Sequence, residues 1–452
     1  MNDADCAPSP TAVDPSVPPS TEATADPAGV PFAALDPRLL REQRTSLKWT
    51  RFAPDVLPLF VAEMDFAIAP EIQRAMIERV QASDLGYVDG AGSLAPAFTA
   101  FALDRWGWHV PDEHVHLATD VATAVVEALR VGRPAGGRLA ISTPTYPGFF
   151  EMLEEVPFEV VEVPLTRDAG AGTGAPGRAT SGSAVLAPPV RLDLAAIEHA
   201  FASDPGIDAF ILCNPHNPHG LVHTQADLAE LARLAAAYDV FVVSDEIHAP
   251  LTFPGARFTP FAPLAAEAGA LSVSTLSASK GWNLAGAKCA VLVAADASAN
   301  ELLRRLPPET VTRVSILGLH ANAAAFTAGR EWLDRAIAQV QANVALLTDL
   351  VSRRLPGVRL VAPEAGYLVW LDLRGAGLGS DPYSRILHDA RVALNDGAAF
   401  GAGGAGYARI NVACAPQTIH AAVDRIASIL PPFDGGASPE TRSPNLDLEE
   451  SR

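Results

Sequence analysis

The chain has 452 residues, a formal net charge of −19 and 49% apolar residues, a length that suits one large domain with a smaller one beside it. A surface this acidic repels phosphate backbones, so we expect no nucleic-acid partner. No apolar run approaches the roughly 18 uninterrupted residues of a membrane span, and the acidic first residues lack the apolar core of a signal peptide, so we expect neither element.

Biased composition marks three segments of the chain. Residues 1–34 and 434–452 contain few large apolar side chains, and this composition predicts disordered tails. Residues 167–189 are rich in Gly, Ala, Ser and Pro and lie between two segments with regular patterns. They predict a flexible surface insertion.

Short apolar runs alternate with helical patterns through the first two thirds of the chain. Thr224 is the expected N-cap of a helix over 224–238, because leucines follow it at helical spacing. The alternation predicts a doubly wound α/β domain whose ligands lie at the carboxyl ends of its strands. Strands are expected at 138–142, 158–164, 209–213, 240–244, 271–275 and 289–293.

The pattern changes after about residue 300. Long helices are expected near 309–354, followed by short strands around 358–373 and 407–412. This arrangement predicts a second, smaller α+β domain. The expected division is an N-terminal arm over 35–70 that contributes to the small domain, a large domain over 71–300 and the small domain over 301–433.

Lysine and cysteine are both rare. The 33 basic residues include three lysines, Lys48, Lys280 and Lys288, so a lysine that remains among so many arginines is a candidate for chemistry that needs a neutral amine. Chance survival of a lysine is the alternative. The four cysteines lie far apart and form no CxxC pair, which favours a reducing cytoplasm.

Two candidate functional residues follow predicted strands. Lys280 lies in Ser277-Ala-Ser-Lys280, just past the 271–275 run, where small hydroxyl residues leave room for a cofactor and offer donors to a phosphate. An ordinary loop lysine is the alternative. Asp245 ends the run Val240-Phe-Val-Val-Ser-Asp245, where a carboxylate could hold a cofactor's ring nitrogen protonated, although a helix cap or a metal ligand remains possible.

Two further motifs carry polar side chains. The segment Cys213-Asn-Pro-His-Asn217-Pro-His-Gly220 contains two Asn-Pro steps, which predict a rigid turn that fixes an amide. Its histidines do not complete a ligand set with a nearby cysteine or carboxylate, so no metal is expected. Arg409, in a short strand of the second domain, suits carboxylate recognition, although a surface arginine is the alternative.

In this order and spacing, the motifs resemble fold-type I pyridoxal 5′-phosphate (PLP) enzymes of the aminotransferase class I/II family, over about residues 36–432 without the insertion. The resemblance implies the aspartate aminotransferase-like fold. It implies that Lys280 forms the Schiff base and carries protons, Asp245 pairs with the pyridinium nitrogen, Asn217 bonds the phenolic oxygen and Tyr146 stacks on the ring. His248 stands where many relatives have a tyrosine that contacts the same oxygen.

The resemblance implies further contacts. Arg409 would bind the substrate α-carboxylate, with Ala62 and Glu63 also contacting the substrate. Tyr87 would reach the cofactor phosphate of a neighbouring subunit and could donate a proton there, which implies a homodimer with shared active sites. The phosphate would be bound by Val121, Ala122, Thr123, Ser277, Ser279 and Lys288.

The segments 46–52, 55–66, 244–249 and 283–286 resemble, within this family, the MalY/PatB cystathionine β-lyase group. The implied reaction is α,β-elimination from cystathionine or another cysteine S-conjugate, giving a thiol, pyruvate and ammonia. Lys48-Trp49 is interpreted as structural, part of an arm that packs on the partner subunit.

Two alternatives remain. An aminotransferase would use the same residues, so only family likeness separates it from a lyase. A PLP-dependent transcriptional regulator would need a DNA-binding module, and the acidic first 34 residues contain no helix-turn-helix pattern.

Overall fold

The computed structural model describes residues 36–167 and 185–431; the two predicted tails and most of the predicted insertion lie outside these residues. The helices are α1 Pro37–Gln43, α2 Leu47–Thr50, α3 Pro70–Gln81, α4 Leu94–Trp106, α5 Val121–Gly132, α6 Gly148–Leu153, α7 Leu194–Phe201, α8 Gln225–Ala237, α9 Phe261–Ala268, α10 Ala278–Gly281, α11 Ala297–Leu303, α12 Pro308–Thr312, α13 Ile316–Thr327, α14 Arg330–Arg354, α15 Pro382–His388 and α16 Pro416–Ser428. The strands are β1 Leu57–Pro58, β2 Val115–Ala118, β3 Gly137–Thr143, β4 Phe158–Pro164, β5 Thr166–Arg167, β6 Val190–Arg191, β7 Ala209–Cys213, β8 Phe241–Asp245, β9 Ser272–Leu276, β10 Ala290–Ala294, β11 Arg359–Val361, β12 Leu368–Asp372, β13 Val392–Ala393, β14 Asn395–Asp396 and β15 Tyr407–Asn411.

A seven-stranded sheet forms the centre of the molecule, in the order β2-β10-β9-β8-β7-β3-β4. Strands β4, β3, β7, β8 and β9 are parallel, whereas β10 and β2 run antiparallel to their neighbours. Every residue of β7, β8, β9 and β10 is buried, as the unbroken apolar runs predict for strands covered on both faces. The six predicted strands therefore form, with ends shifted by at most one residue, and β2 joins them at the edge.

Helices cover both faces of this sheet. One apolar cluster joins the sheet to α5, α6 and α11, and another joins the opposite face to α7, α8 and α9. Helix α8 begins where Thr224 caps it, because the threonine hydroxyl accepts from the backbone N–H of Asp227 at 3.0 Å. The expected doubly wound architecture is thus present.

A further layer contains α3, α4, α13 and α14 and is continuous with the core of the second sheet. Helix α13 packs against α3 and α4, so the chain just beyond residue 300 still contacts elements that precede the central sheet in the sequence. The second sheet has the order β11-β12-β15-β14 and is antiparallel in every pairing. No helix within residues 36–167 and 185–431 is long and apolar enough to span a membrane.

The N-terminal arm returns to the smaller sheet region. Strand β1 pairs in parallel with β13, with Leu57 opposite Val392. Arg391, the residue before β13, holds the carboxylate of Asp55 with two hydrogen bonds of 2.7 and 3.0 Å. These contacts fix residues 55–58 beside the C-terminal part of the chain.

The buried amide of Asn343 in α14 fastens this helix to the end of β15. Its Nδ2 donates to the carbonyl oxygens of Val412 and Cys414 at 2.7 and 2.8 Å.

Asn343→Ala leaves both carbonyls without that donor in a buried position, so we expect a loss of about 2 kcal/mol in the free energy of unfolding, measured by denaturant titration. Gln341→Ala, on the same helix, is the control and should change it by less than about 0.5 kcal/mol. An unchanged midpoint for Asn343→Ala would contradict the assignment.

Candidate active site

A cavity of about 270 Å³ lies at the carboxyl ends of the parallel strands, with the smaller sheet contributing Arg409 to its wall. Such a place is where open α/β sheets bind ligands. Most of the residues that the sequence singled out line it. The lining consists of Ala62, Asp120, Val121, Ala122, Tyr146, Met152, Cys213, Asn217, Asp245, Ile247, His248, Ser279, Lys280, Ala285, Lys288, Cys289 and Arg409.

Lys280 lies in the short helix α10, directly after β9. The hydroxyl of Ser277 starts this helix by accepting from the backbone N–H of Ser279 at 3.0 Å. The next turn is fixed because the indole N–H of Trp282 donates to the carbonyl of Gly329 at 2.8 Å. Lys280 Nζ donates to the carbonyl of Ala62 at 3.3 Å, so the amine faces the cavity with one backbone acceptor.

The amine of Lys280 is easier to deprotonate than an ordinary lysine. Its enclosure and the nearby guanidinium of Arg409 lower its pKa to about 8, and the carboxylates of Asp245 and Glu63 oppose this shift. At pH 7 about a tenth of such amines is neutral, far more than for a solvated lysine. The side chain can therefore act both as a nucleophile and as a proton carrier near neutral pH.

Asp245 ends strand β8, beside β9 in the sheet, where it pairs with Thr275. One of its carboxylate oxygens accepts from the backbone N–H of Ile247 at 3.1 Å. Burial raises its pKa to about 6, because a charged carboxylate loses its water there, while the Ile247 N–H and Lys280 favour the charged form. A cationic ligand atom in the cavity would stabilise this carboxylate further.

The Asn-Pro turn delivers Asn217 to the cavity and keeps its histidines inside the protein. His216 Nε2 lies 2.9 Å from the carbonyl of Pro144, and His223 Nε2 lies 3.0 Å from the carbonyl of Cys213. Burial lowers the pKa of His216 to about 3 and that of His223 to about 4, so both rings are neutral supports of the turn. Asn217 Oδ1 accepts from Arg409 Nη1 at 3.0 Å.

Arg409 reaches the cavity from β15 of the smaller sheet. It is 2% exposed, its Nη2 donates to the carbonyl of Phe60 at 3.3 Å, and its guanidinium lies 5.1 Å from the ring centre of Phe400. Its buried Nε has no hydrogen-bond partner among the described residues. Burial lowers its pKa to about 10, which means that a carboxylate entering the cavity would supply a missing counter-charge.

His248 is buried and neutral. Burial, with the positive charges of Lys280 and Arg409, lowers its pKa to about 3. Its Nδ1 has no hydrogen-bond partner among the described residues. A neutral imidazole carries one N–H, so this ring can still donate one hydrogen bond to a ligand where a tyrosine would use its hydroxyl.

Positive charge and a helix N-terminus meet at Asp120. Its carboxylate caps helix α5 by accepting from the backbone N–H of Thr123 at 2.9 Å and binds Lys288 Nζ at 2.7 Å. Lys288 has a left-handed backbone conformation, with φ at 51°, which turns the chain between α10 and β10. Together, Lys288 and the start of α5 form a place for an anion.

Four expected site residues lie outside the lining. The Ser277 hydroxyl donates to the carbonyl of Cys289 at 2.7 Å, and the Thr123 N–H donates to the Asp120 carboxylate at 2.9 Å, so both groups have partners within the chain, and their contacts to a phosphate stay predictions. The Glu63 carboxylate accepts from the Ser46 hydroxyl at 2.8 Å, and its contact with a substrate stays a prediction. Tyr87 is 89% exposed and contacts no part of this cavity in its own chain.

Asp120 was missed by sequence reasoning. The signal available was its position directly before a helix whose N-terminus was already expected to bind phosphate, since aspartate is a preferred N-cap. Cys213 and Cys289 also line the cavity, but nothing in their sequence context distinguishes them from other buried cysteines.

The chemistry of the cavity fits PLP. The buried carboxylate of Asp245 suits a protonated ring nitrogen, and the amine of Lys280 suits an aldehyde. The ammonium of Lys288 beside the α5 N-terminus suits a phosphate. Arg409 Nε and His248 Nδ1, which have no hydrogen-bond partner within residues 36–167 and 185–431, are the kind of buried polar atoms that a bound ligand satisfies.

Comparison with known proteins settles the family. Residues 54–426 match the family model described as aminotransferase class I and II. The chain belongs to this family. The expected fold is confirmed by a similar solved structure: cystalysin from Treponema denticola, whose structure contains pyridoxal 5′-phosphate, aligns with a TM-score of 0.77 at 24% identity, covering 88% of this chain and 97% of that one.

Curated relatives within the class I and II family confirm the narrower resemblance. A Corynebacterium glutamicum protein named cystathionine beta-lyase is 34% identical over 391 residues, which cover 86% of this chain and 98% of the relative. Cystathionine beta-lyase PatB of Bacillus subtilis is 31% identical over 404 residues, again covering 86% of this chain and 98% of the relative.

Glu246 lies directly after Asp245 but faces the core, where it is 0% exposed. Its Oε1 accepts from the Ser244 hydroxyl at 2.9 Å and the Phe261 N–H at 2.8 Å, while Oε2 has no partner among the described residues. Burial raises its pKa from 4.5 to about 7. The folded protein therefore keeps a proton that the unfolded chain loses between these pH values.

We expect the free energy of unfolding to fall by on the order of 3 kcal/mol as pH rises from 4.5 to about 7, and to level off above pH 7. Glu246→Gln cannot titrate and should lack this component. Melting temperatures of both proteins across pH 5–8 measure the difference, which isolates Glu246 from Asp245 because the aspartate is common to both. If the melting temperatures of the two proteins changed with pH in parallel across the whole range, Glu246 would not hold a buried proton.

Proposed function

We propose that this chain is a PLP-dependent carbon–sulfur lyase that cleaves cystathionine or another cysteine S-conjugate, with uptake of one water molecule, into a thiol, pyruvate and ammonia. The observation that carries the proposal is the convergence of Lys280, Asp245 and Asn217 on one cavity in a chain whose relatives, at 34% and 31% identity over most of their length, are named cystathionine beta-lyases. PLP, when bound, supplies an aldehyde and an electron-accepting ring that stabilises negative charge at the substrate α-carbon.

Arg409 orients the substrate. Its buried guanidinium has a lowered pKa and an Nε without a partner in the described part of the chain, and a substrate carboxylate would supply both a counter-charge and an acceptor. Because Arg409 Nη1 also holds Asn217, substrate and cofactor contacts are tied to one side chain. Holding the substrate carboxylate in one place orients the α-hydrogen of the substrate towards Lys280. This orientation needs no contacts to the sulfur-bearing side chain of the substrate.

Lys280 moves the proton. Its pKa of about 8 lets the free amine take the α-proton near neutral pH and return it to the leaving sulfur. Asp245 holds the proton of the ring nitrogen, for which its buried carboxylate is suited. A thiolate is a good leaving group, so a thioether substrate favours its elimination over the return of a proton that leads to transfer of the amino group.

A homodimer completes the proposal. Exposed apolar side chains are concentrated on α3 and the loop after it, where Ile77 is 46%, Val80 52%, Leu85 57% and Tyr87 89% exposed. Such a patch suits a protein interface, and a second copy of this chain would bring Tyr87 to the neighbouring cavity. A cytoplasmic location is also proposed, because Cys213, Cys289 and Cys414 are free thiols.

Asp245→Asn should retain PLP but lower kcat by on the order of 100-fold, about 2.7 kcal/mol, because a neutral amide does not hold the ring proton. PLP content by absorbance and steady-state rates measure the two effects separately. Asp239→Asn, at an exposed surface position, is the matched control and should behave as wild type. Activity within threefold of wild type for Asp245→Asn would remove Asp245 from this role.

The reaction type is tested with L-cystathionine and no 2-oxo acid present. A lyase makes pyruvate, ammonia and free thiol over many turnovers, because elimination leaves the cofactor unchanged. Thiol reagent and a coupled pyruvate assay follow the products. A single turnover that resumes only after 2-oxoglutarate is added would overturn the lyase and favour an aminotransferase.

A further inference from the structure

Lys48 in the N-terminal arm is enclosed within its own chain. The residue is 1% exposed, and its Nζ donates to Asp65 Oδ1 at 2.6 Å and to the carbonyl of Glu63 at 2.9 Å. Asp65 is also 1% exposed. Burying an ammonium and a carboxylate costs free energy of folding. Because the Lys48 ammonium is buried within its own chain, it cannot contact a partner subunit, and the buried pair must have another role.

Residues 61–66 form an irregular segment whose carbonyl groups are bonded by side chains from distant parts of the chain. Asn411 Nδ2 donates to the carbonyls of Val61 and Glu63, both at 2.7 Å. Asn283 bonds the N–H and carbonyl of Met64 at 2.8 and 3.0 Å. Without such donors a buried irregular segment would not hold one conformation.

The carbonyl of Ala62 lies in the middle of this segment and accepts from Lys280 Nζ. Both neighbouring carbonyls are fixed by Asn411, and that of Glu63 is fixed by Lys48 as well. The orientation of the Ala62 carbonyl therefore depends on bonds made by its neighbours. The three lysines of the chain thus serve one site: Lys280 and Lys288 line the cavity, and Lys48 fixes the peptide next to Ala62.

We propose that Lys48, paired with Asp65, is a positioning residue that sets the Ala62 carbonyl as the acceptor for the free amine of Lys280. The proposal deepens the proposed function and rests on it for the role of Lys280. A compact ammonium suits this place because it donates to a carbonyl and a carboxylate at once from a confined position. When the Lys280 amine is free of the cofactor and carries protons, the Ala62 carbonyl holds its Nζ at the cavity wall.

Other charges also act on the amine of Lys280. Asp245 and Glu63 favour its protonated form, whereas Arg409 and Lys288 disfavour it, and neutral His248 contributes no charge. Replacing Lys48 and Asp65 together removes one positive and one negative charge. The net field at Lys280 therefore changes little, and the position of the Ala62 carbonyl is what changes.

The test uses the full-length double variant Lys48→Met/Asp65→Leu, which leaves no unpaired buried charge. In protein freed of cofactor, the pH dependence of acylation of Lys280 by acetic anhydride, read by peptide mass spectrometry, gives its pKa. We expect this pKa to fall by about one pH unit, because the ammonium loses a hydrogen-bond acceptor. Lys288, labelled in the same sample, is the internal reference. In the holoenzyme, kcat should fall about tenfold with KM for L-cystathionine changed less than threefold.

Two further variants separate positioning from stability. Asn411→Ala releases the same segment from the other side and should lower the pKa of Lys280 and kcat in the same way. Arg41→Met loosens the same arm at Trp49 and Val56 without touching residues 61–66, and should leave both quantities unchanged.

A double variant and Asn411→Ala that melt earlier but keep the wild-type Lys280 pKa and kcat would overturn the proposal. If the double variant fails to fold, Asn411→Ala alone decides, by the same two readouts. Because the labelling needs no cofactor, its outcome is independent of the reaction. Borohydride that fixed PLP to a residue other than Lys280 would instead refute the proposed function.

Discussion

The register between the neighbouring parallel strands β8 and β9 is the constraint on which the cavity depends. β8 ends in Asp245, and β9 lies beside it with Thr275 opposite the aspartate. Since α10 follows β9 after Ser277, the register that joins these strands fixes how far a carboxylate lies from an amine. Enclosure then raises the pKa of the acid and lowers that of the amine, so each is poised near neutrality.

The rest of the molecule supplies what the sheet cannot. The arm and the smaller sheet meet over the cavity, where Arg409 bonds the carbonyl of Phe60 and Asn411 bonds that of Val61. Ala62, in the irregular segment that these bonds fix, is thereby part of the cavity wall. An irregular wall of this kind places carbonyl groups where a regular element would have used them internally.

The sequence predicted the strands because unbroken apolar runs are typical of a sheet covered on both faces, and strand ends led directly to Lys280 and Asp245. The direction of β10 and β2 was not predictable, since apolar patterning does not encode whether a strand runs parallel to its neighbour. β2 was also missed, because it has four residues and includes the polar His116.

Local hydrogen bonds explain the differences at the site itself. The Ser277 hydroxyl and the Thr123 backbone N–H, both expected to bind phosphate, are bonded within the chain to Cys289 and Asp120, which the sequence did not predict. Lys48-Trp49 was interpreted as part of an arm that packs on the partner subunit, whereas the Lys48 ammonium is buried within its own chain. Its burial depends on residues 63 and 65 folding back, which no local pattern reveals.

Helix α14 has 25 residues and is about 37 Å long, and it connects the two sides of the cavity. It starts after Gly329, whose carbonyl holds Trp282 in the turn after Lys280, and Asn343 near its middle holds the end of the strand that carries Arg409. One regular element is therefore bonded both to the turn after Lys280 and to the end of the strand that carries Arg409, so the separation of the amine and the guanidinium depends on this helix.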